Sequence, residues 1–397
     1  MELSGNNNYQ QTEAGLIPRD WAFVRLLDVA EVRGGIAKNA NVAVSDPIQV
    51  AYLRVANVQD GYLDLTDIST TKINKSDLKR YSLKFGDVLM NEGGDLDKLG
   101  RGAIWREQVT PCVHQNHVFA VRCGRQLHSD YLNCWTESAS ARRFFLLAGK
   151  QTTNLASISK SSLGEMPLGL PCPEEQRAIA SALSDIDALI AGLAKLIAKK
   201  RDLKQAAMQQ LLTGQTRLPG FSGEWGSRSL GELCSLKSGS PITSDDMNDH
   251  GAYRCFGGNG LRGYSSTFTH DGSYALIGRQ GALCGNVVGV QGKFFASEHA
   301  LVVTPRTGVA IEWLTFVLGR MNLNQYSESS AQPGLSALKL LILEVFAPPS
   351  ESEQGAIATA IASFDAELSA LESRLTKTRD LKQGMMQELL TGRTRLI

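Results

Sequence analysis

Two stretches of the chain carry hydrophobic residues at heptad spacing. Apolar residues step by 4, 3, 4, 3 and 4 positions from Ile179 to Ile197, and the same steps lead from Ile357 to Leu375. This spacing puts the apolar side chains on one stripe of a helix, which is typical of a helix that packs against another helix. The predicted seam residues are Ile179, Leu183, Ile186, Ile190, Leu193, Ile197, Ile357, Ile361, Phe364, Leu368, Leu371 and Leu375.

The two helical stretches are copies of each other. Residues 175–218 and 353–396 align without a gap and are identical at 24 of 44 positions. Prolines precede both copies, and Gly214 and Gly392 follow them as predicted left-handed caps. Roughly 40 helical residues would extend about 60 Å. The chain is therefore predicted to contain two globular segments, each followed by a long helix, with bounds 1–170, 171–218, 219–348 and 349–397.

Short apolar runs interrupted by glycine fill the two globular segments, as in "LKFGDVLMNEGG" and "GSYALIGRQGALCGNVVGV". Such runs indicate strands and hairpins. One amphipathic helix is expected in each segment, near residues 130–147 and 311–321. The predicted fold is therefore mixed α/β (α+β). It consists of two globular domains separated by two long coiled-coil helices in a tandem repeat.

The composition of the chain excludes several classes of site without identifying a function. The net charge is only +1, so DNA binding would need cations gathered into local patches or supplied by partners. The seven cysteines never form a C-x-x-C pair, which argues against a zinc site and a disulfide framework. The start "MELSGNNNYQQ" is too polar for a signal peptide, and no run of about 18 apolar residues occurs. We therefore expect a cytoplasmic protein without a membrane span.

Several motifs in a constant order resemble the specificity subunit of type I restriction-modification systems. They are the duplicated "LLTGQTRL" and "LLTGRTRL", "LKFGDVLMNEGG" with "QNHVFAV", and "YRCFGGNGLRGY", "YALIGRQGALCGNV" and "SEHALVV". The resemblance covers nearly the whole chain. It implies two target recognition domains that two antiparallel coiled-coil helices hold apart in a pseudo-two-fold tandem repeat. Each domain would read one half of an asymmetric, bipartite DNA sequence. It also implies a subunit that performs no chemistry itself.

The same resemblance implies partners and assigns the cofactors to them. Two modification subunits would bind S-adenosylmethionine and methylate adenine, and restriction subunits would use ATP and Mg2+ to cleave DNA. This chain would bind no cofactor and no metal. The ends of the long helices are expected to dock these partners through Leu211, Leu212, Leu389 and Leu390.

Base reading requires donors and acceptors that reach the major groove from loops. Arg and Lys suit guanine, and Asn and Gln suit adenine. The polar loop "QTTNLASISK" attracts attention because nothing in its pattern requires so many donors. The predicted DNA-binding residues are Arg101, Gln115, Asn116, Gln151, Thr152, Thr153, Asn154, Lys160, Asn259, Arg262, Tyr264, Arg279, Gln280 and Gln332.

Other site types fit the sequence less well. "CFGGNGLRG" matches G-x-G-x-x-G, but no helix pattern follows it, so a glycine-rich hairpin is favoured over a cofactor loop. His114 and His117 have H-x-x-H spacing, but no third ligand lies nearby, so strand residues that face opposite sides explain them better than a metal site. Asp95 and Asp97 suit a polar turn better than an ion site. Two functional alternatives stay open. One is a coiled-coil scaffold that binds only proteins, and the other, which lacks a catalytic N-P-P-Y motif, is a stand-alone methyltransferase.

Overall fold

The computed structural model describes residues 8–37, 45–95, 99–100, 102–151, 156–258, 260–281, 283–327 and 334–397. The chain divides into two compact units. Unit 1 comprises residues 1–193 and 374–397, and unit 2 comprises residues 194–373. Each unit therefore combines a globular part with the first portion of one long helix and the last portion of the other.

The strands of the first globular part are short. They are β1 (Tyr9–Thr12), β2 (Gly15–Pro18), β3 (Ala22–Arg25), β4 (Ala30–Gly34), β5 (Pro47–Leu53), β6 (Ser69–Asn74), β7 (Val88–Asn91), β8 (Gly93–Gly94), β9 (Gly102–Ile104), β10 (Cys112–His114), β11 (Val118–Cys123), β12 (Lys150–Gln151), β13 (Ala156–Ser157) and β14 (Pro167–Leu170). The helices are α1 (Leu26–Val29), α2 (Lys75–Tyr81), α3 (Ser129–Thr136), α4 (Ala139–Ala148) and α5 (Lys160–Gly164), followed by the long α6 (Pro173–Leu211).

The second globular part has fewer and longer strands. They are β15 (Gly226–Ser229), β16 (Cys234–Ser238), β17 (Tyr253–Gly257), β18 (Gly260–Ser265), β19 (His270–Gly278), β20 (Val287–Ala296), β21 (Ala300–Pro305) and β22 (Glu344–Ala347). The helices are α7 (Leu230–Leu233), α8 (Ile311–Arg320) and α9 (Ala337–Leu341), followed by the long α10 (Glu351–Leu389).

The sheets of the two parts are built on the same strand pairs. In unit 2 one six-stranded sheet runs in the order β16-β21-β19-β20-β17-β18. In unit 1 the corresponding strands form two sheets, β4-β11-β7-β9 and β10-β5-β6. The reason is that the ten-residue β20 pairs with both β19 and β17. Its counterpart in unit 1 is divided into two strands, of which β9 pairs with β7 and β10 pairs with β5. The expected mixed α/β fold with two globular parts and two long packed helices is confirmed.

One expected helix is two helices in the structure. The pattern around residues 130–147 predicted a single helix, but α3 ends at Thr136 and α4 begins at Ala139. The Ser138 side chain accepts a hydrogen bond from the Ala141 amide, so it caps a new helix. Helix α8 coincides with the helix expected near residues 311–321.

The two long helices run antiparallel within each unit. In unit 1 Lys382 forms an ion pair with Asp187 at 2.9 Å, and in unit 2 Lys204 forms the same pair with Asp365 at 2.5 Å. The twelve predicted seam residues are all buried or half-buried. The first turns of each helix also enter a globular core, where Ile179 lies in the same hydrophobic cluster as Trp135.

A buried cluster joins the end of one long helix to the start of the other in both units. In unit 1 Arg395 makes a bidentate pair with Glu175 at 2.5 and 2.7 Å, and the indole of Trp21 donates to the same carboxylate at 3.1 Å. In unit 2 Arg217 pairs with Glu353 at 2.9 and 2.7 Å, and the Trp225 indole donates at 3.2 Å. We call each cluster the Trp-Glu-Arg clasp.

The four leucines at the helix ends that were expected to dock partner subunits are buried within this chain. They are 2–8% exposed and belong to the hydrophobic cores of the units, because the chain turns back onto the globular part beyond each helix. The turns contain Gly214 and Gly392 at φ 71° and 66°. A Cβ at Gly392 would lie 2.3 Å from the Pro18 side chain, so glycine is required there. The buried residues are Leu211, Leu212, Leu389 and Leu390.

Candidate nucleic-acid interface

Three segments meet at Glu92, the residue that follows β7. Its amide donates to the carbonyl of His117 at 2.9 Å, and its carbonyl accepts from the Ile158 amide at 2.9 Å. These bonds bring the turn 115–117 beside the segment that leads from β13 into α5. We call this arrangement of Glu92, turn 115–117 and Ile158 the first junction.

The second globular part repeats the arrangement at Arg279, the residue that follows β19. The Arg279 amide donates to the His299 carbonyl at 2.9 Å, and the Leu335 amide donates to the Arg279 carbonyl at 2.9 Å. Arg279, turn 297–299 and Leu335 form the second junction. The strand registers agree as well, because Asn91 pairs with Val118 and Gly278 pairs with Ala300.

A glycine supports the turn in each junction. Gly35 and Gly239 are 204 residues apart, the same offset that relates Trp21 to Trp225. A Cβ at either glycine would lie 2.2–2.4 Å from two carbonyl oxygens of the chain entering the turn. No side chain fits such a space, so the glycine allows the turn to pack directly on the neighbouring backbone.

In unit 2 the glycine-rich hairpin between β17 and β18 packs against the second junction. A Cβ at Gly278 would lie 2.2 Å from the Gly258 carbonyl oxygen, and a Cβ at Gly258 would lie 2.9 Å from that of His299. The aliphatic part of Arg262 covers Gly257. The hairpin predicted for "CFGGNGLRG" is therefore confirmed, since one strand follows another here and no helix begins.

The side chains at the two junctions are polar and accessible. The imidazole of His117 has an exposed fraction of 59%, and its Nδ1 lies 2.6 Å from Oε2 of Glu92. In unit 2 the Arg279 guanidinium donates from Nη1 to Oγ of Ser238 at 2.7 Å. His299 lies 3.1 Å from both Oε1 of Gln280 and Oε1 of Glu298. Hydrogen-bond donors and acceptors therefore line both surfaces.

Unpaired polar atoms concentrate at the same places. Among the described residues, five buried side-chain polar atoms have no hydrogen-bond partner in the protein. Three of them, Asn91 Oδ1, Ser297 Oγ and Glu298 Oε2, belong to residues in or next to the two junctions. A buried unpaired polar atom costs about 1–3 kcal/mol, so each one in a folded protein calls for an explanation, such as a role in binding.

Most of the described candidate residues lie at a junction. In the first, Gln115 and Asn116 belong to the turn, and Lys160 follows Ile158 by two residues. Gln115 also accepts from the Val55 amide at 3.4 Å. In the second, Arg262, Arg279 and Gln280 converge.

Tyr264 is not at the junction, because it pairs with Asn248 through both backbone groups farther along β18. Gln151 lies in β12, which pairs with β13 beside the first junction, although its side chain is outside the described atoms. The other candidates lie outside the described residues and stay predictions. These are Arg101, Thr152, Thr153, Asn154, Asn259 and Gln332.

His114 and His117 have different surroundings despite their close spacing. His114 is 2% exposed, its Nδ1 lies 2.7 Å from the Val118 carbonyl oxygen, and burial lowers the pKa of its imidazole. Within the described part of the chain, no three His, Cys, Asp or Glu side chains are grouped in a way that could hold a metal ion. The same part contains no helix that is long and apolar enough to span a bilayer.

Comparison with known proteins places this architecture in a family. The family model for the type I restriction modification DNA specificity domain matches residues 18–199 and 222–378, which together make 182 + 157 = 339 of the 397 residues. The chain belongs to this family. Its members are specificity subunits, and the family is a non-catalytic one.

Two curated relatives and one solved structure illustrate the similarity. The EcoprrI specificity subunit of Escherichia coli is 46% identical over 142 residues, which are 35% of each chain. The putative MjaX specificity subunit of Methanocaldococcus jannaschii is 29% identical over 216 residues, 54% of this chain and 50% of that one. The crystal structure of the S subunit from M. genitalium superposes with a TM-score of 0.61 over 98% of both chains at 16% identity. The matches thus span at most half the length of these two curated relatives, and the solved structure supports the fold alone.

Some junction residues of this specificity-family chain were missed by sequence reasoning. Glu92, Ser238 and His299 were not among the candidates. His117 was considered as a metal ligand and interpreted as a strand residue, whereas it lies in the turn before β11. A signal existed in the sequence, because "QNH" and "SEH" each directly precede an apolar run, "VFAV" and "ALVV". The backbone equivalence of Glu92 and Arg279 had no such signal, because one side chain is acidic and the other is basic.

Proposed function

We propose that this chain is the DNA specificity subunit of a type I restriction-modification complex, and that each globular part contacts one half of a bipartite target. The observation that carries the proposal is the repetition of one junction backbone with different side chains. A shared backbone allows both parts to approach a duplex in the same way, and different side chains allow them to read different bases. The target is then asymmetric.

The net charge of +1 suits a subunit that shares the clamping of DNA with partners. In this proposal modification subunits with S-adenosylmethionine methylate adenine in the target, and restriction subunits with ATP and Mg2+ cleave DNA. The presence of a family member does not by itself identify these partners, so assembly has to be tested directly.

A repeated exposed surface supports the binding of two copies of the same partner. Arg201, Asp202 and Leu203 of α6 recur as Arg379, Asp380 and Leu381 of α10, and all six are exposed. The exposed fractions of Leu203 and Leu381 are 45% and 55%. Since two identical partners need two similar sites, we propose that these two surfaces dock the modification subunits in place of the buried leucines.

The decisive experiment is genome-wide mapping of methylated adenine in cells with and without the gene, each carrying the modification subunit. The proposal expects a bipartite motif with an unread spacer that disappears when the gene is deleted. An unchanged methylome, together with a partner complex that still forms, would support the protein-only scaffold instead. Transfer of a labelled methyl group by the purified chain alone would support the stand-alone methyltransferase.

A further inference from the structure

Glu92 and Arg279 occupy the same backbone position in the two junctions. Each follows a central strand, donates its amide to the carbonyl of a turn histidine and accepts from the next incoming segment, with all four bonds at 2.9 Å. Their side chains nevertheless have opposite charge. A tandem repeat that keeps the backbone and reverses the charge at one position has changed what that position can bind.

The surroundings of the two side chains have changed with them. Arg279 donates to Ser238 at 2.7 Å, and the residue 204 positions earlier is Gly34, which has no side chain to accept such a bond. Glu92 instead holds Nδ1 of His117 at 2.6 Å, whereas His299 turns to Gln280 and Glu298. Each charged group is therefore oriented by a neighbour that suits its own chemistry.

Both groups keep hydrogen-bonding capacity after these contacts. An arginine has five N–H donors, and Ser238 receives one of them. A carboxylate has two acceptor oxygens, and His117 contacts Oε2. The side chain of Glu92 is 31% exposed and Arg279 is half-buried, so each can be reached from outside while its direction is restricted.

The two chemistries correspond to different bases. Arginine donates in bidentate fashion to O6 and N7 of guanine, which is the commonest specific contact in the major groove. A carboxylate accepts from the amino group of cytosine. We propose that Arg279 and Glu92 are specificity-determining residues at equivalent positions, with Arg279 reading a guanine in one half of the target and Glu92 an exocyclic amino group in the other. This inference rests on the proposed function.

The test compares the methylated motif of the wild-type complex with those of Glu92→Gln and Arg279→Gln in the full chain. Glutamine keeps the size of Glu92 and one acceptor oxygen, replaces the other oxygen by a donating NH2 group, and removes the charge in both variants. Arg279→Gln should relax one guanine position in one half-site, and Glu92→Gln should alter one position in the other half-site. In binding assays with duplexes carrying the wild-type motif, discrimination against the substituted base pair should fall on the order of 10- to 100-fold.

Matched controls remove the same charges nearby. Arg254→Gln changes an exposed arginine of β17 that donates to the Gln291 carbonyl, and Glu31→Gln changes an exposed carboxylate of β4. Both should leave the motif unchanged. The inference is overturned if Arg279→Gln and Glu92→Gln leave every motif position as in the wild type, or lower methylation equally at all sites without changing the motif. Absence of any motif in the wild type would overturn the proposed function, and this inference with it.

Discussion

The two globular parts agree where they meet the long helices and differ where their strands connect. Both have a Trp-Glu-Arg clasp, and both use a glutamine at the helix start to accept from a backbone amide at 2.8 Å, Gln176 from His128 and Gln354 from Ala310. The connection between β5 and β6 spans residues 54–68, whereas β17 and β18 form a short hairpin in which Gly257 pairs with Gly260. The contacts that attach each globular part to the long helices are therefore repeated, whereas the connections between strands differ.

The division of one strand illustrates how divergence is tolerated. Strand β20 is continuous, but its counterpart in unit 1 is interrupted between Ile104 and Cys112, where Pro111 has no amide to donate. The sheet separates into two at this place, and each piece keeps its own pairing. The first junction is unaffected because it is formed by β7, β11 and the turn between β10 and β11. The register of β7 with β11 is the same as that of β19 with β21.

The largest expected effect comes from opening one clasp and leaving the other intact. Arg395→Ala leaves Glu175, which is fully buried, as an unpaired charge, and should destabilise unit 1 by roughly 3–5 kcal/mol. Arg217→Ala should do the same in unit 2, where Glu353 is 1% exposed. Hydrogen exchange resolved by unit should locate each loss.

Asp20→Asn provides the control for this prediction. Asp20 also binds Arg395, at 2.8 Å, and that hydrogen bond holds the pKa of Asp20 below its ordinary value. The Asp20 side chain is 62% exposed, so its loss should cost less than about 1 kcal/mol. Equal destabilisation by Asp20→Asn and Arg395→Ala would contradict the buried-charge explanation.

A somewhat smaller effect is expected in the helix seam. Leu193 is 5% exposed, and its copy Leu371 is half-buried. Leu193→Asp should cost about 2–4 kcal/mol because it buries a charge without a partner, and Leu371→Asp should cost less. Thermal unfolding of the two variants measures the difference. If Leu371→Asp proves the more damaging, the packing at these copied positions has been misread.

The repeated exposed surface predicts an effect on assembly without an effect on folding. Leu203→Asp should weaken the binding of one modification subunit and Leu381→Asp the other, each by about 2 kcal/mol or roughly 30-fold, as for an apolar interface centre. Mass measurement of the purified complex counts the bound partners. The double variant should bind none, and retention of both partners by that variant would exclude this surface.

The smallest expected effect is a difference in acid sensitivity. Burial lowers the pKa of His114 in the fold, so the unfolded chain binds the proton more readily below about pH 6.5. The stabilising contribution is therefore complete above that pH and is lost as pH falls through the folded pKa, by up to about 1.4 kcal/mol per pH unit. The position equivalent to His114 in unit 2 is Ala296.

Unit 1 should therefore lose stability first between pH 6.5 and 5. His270 of unit 2 also has a pKa lowered by burial, but it is only half-buried and should contribute less. Denaturant titrations at several pH values, with hydrogen exchange as the readout, measure the free energy of unfolding of each unit. His114→Gln should flatten the pH dependence of unit 1, and an unaltered profile in that variant would point to another titrating group.

The heptad spacing, the duplicated helix endings and the repeated glycines are local patterns, so the sequence by itself determined the two long helices and the tandem plan of the chain. It also supplied Gln115, Asn116, Arg279 and Gln280 as candidates, because polar residues in turns between apolar strands are visible in one dimension. The tertiary structure alone decided that the four helix-end leucines are buried and that Glu92 and Arg279 are equivalent. The physical reason is that burial and equivalence depend on backbone hydrogen bonds between segments distant in sequence, such as Glu92 to His117 and Ile158, and these leave no periodic trace along the chain.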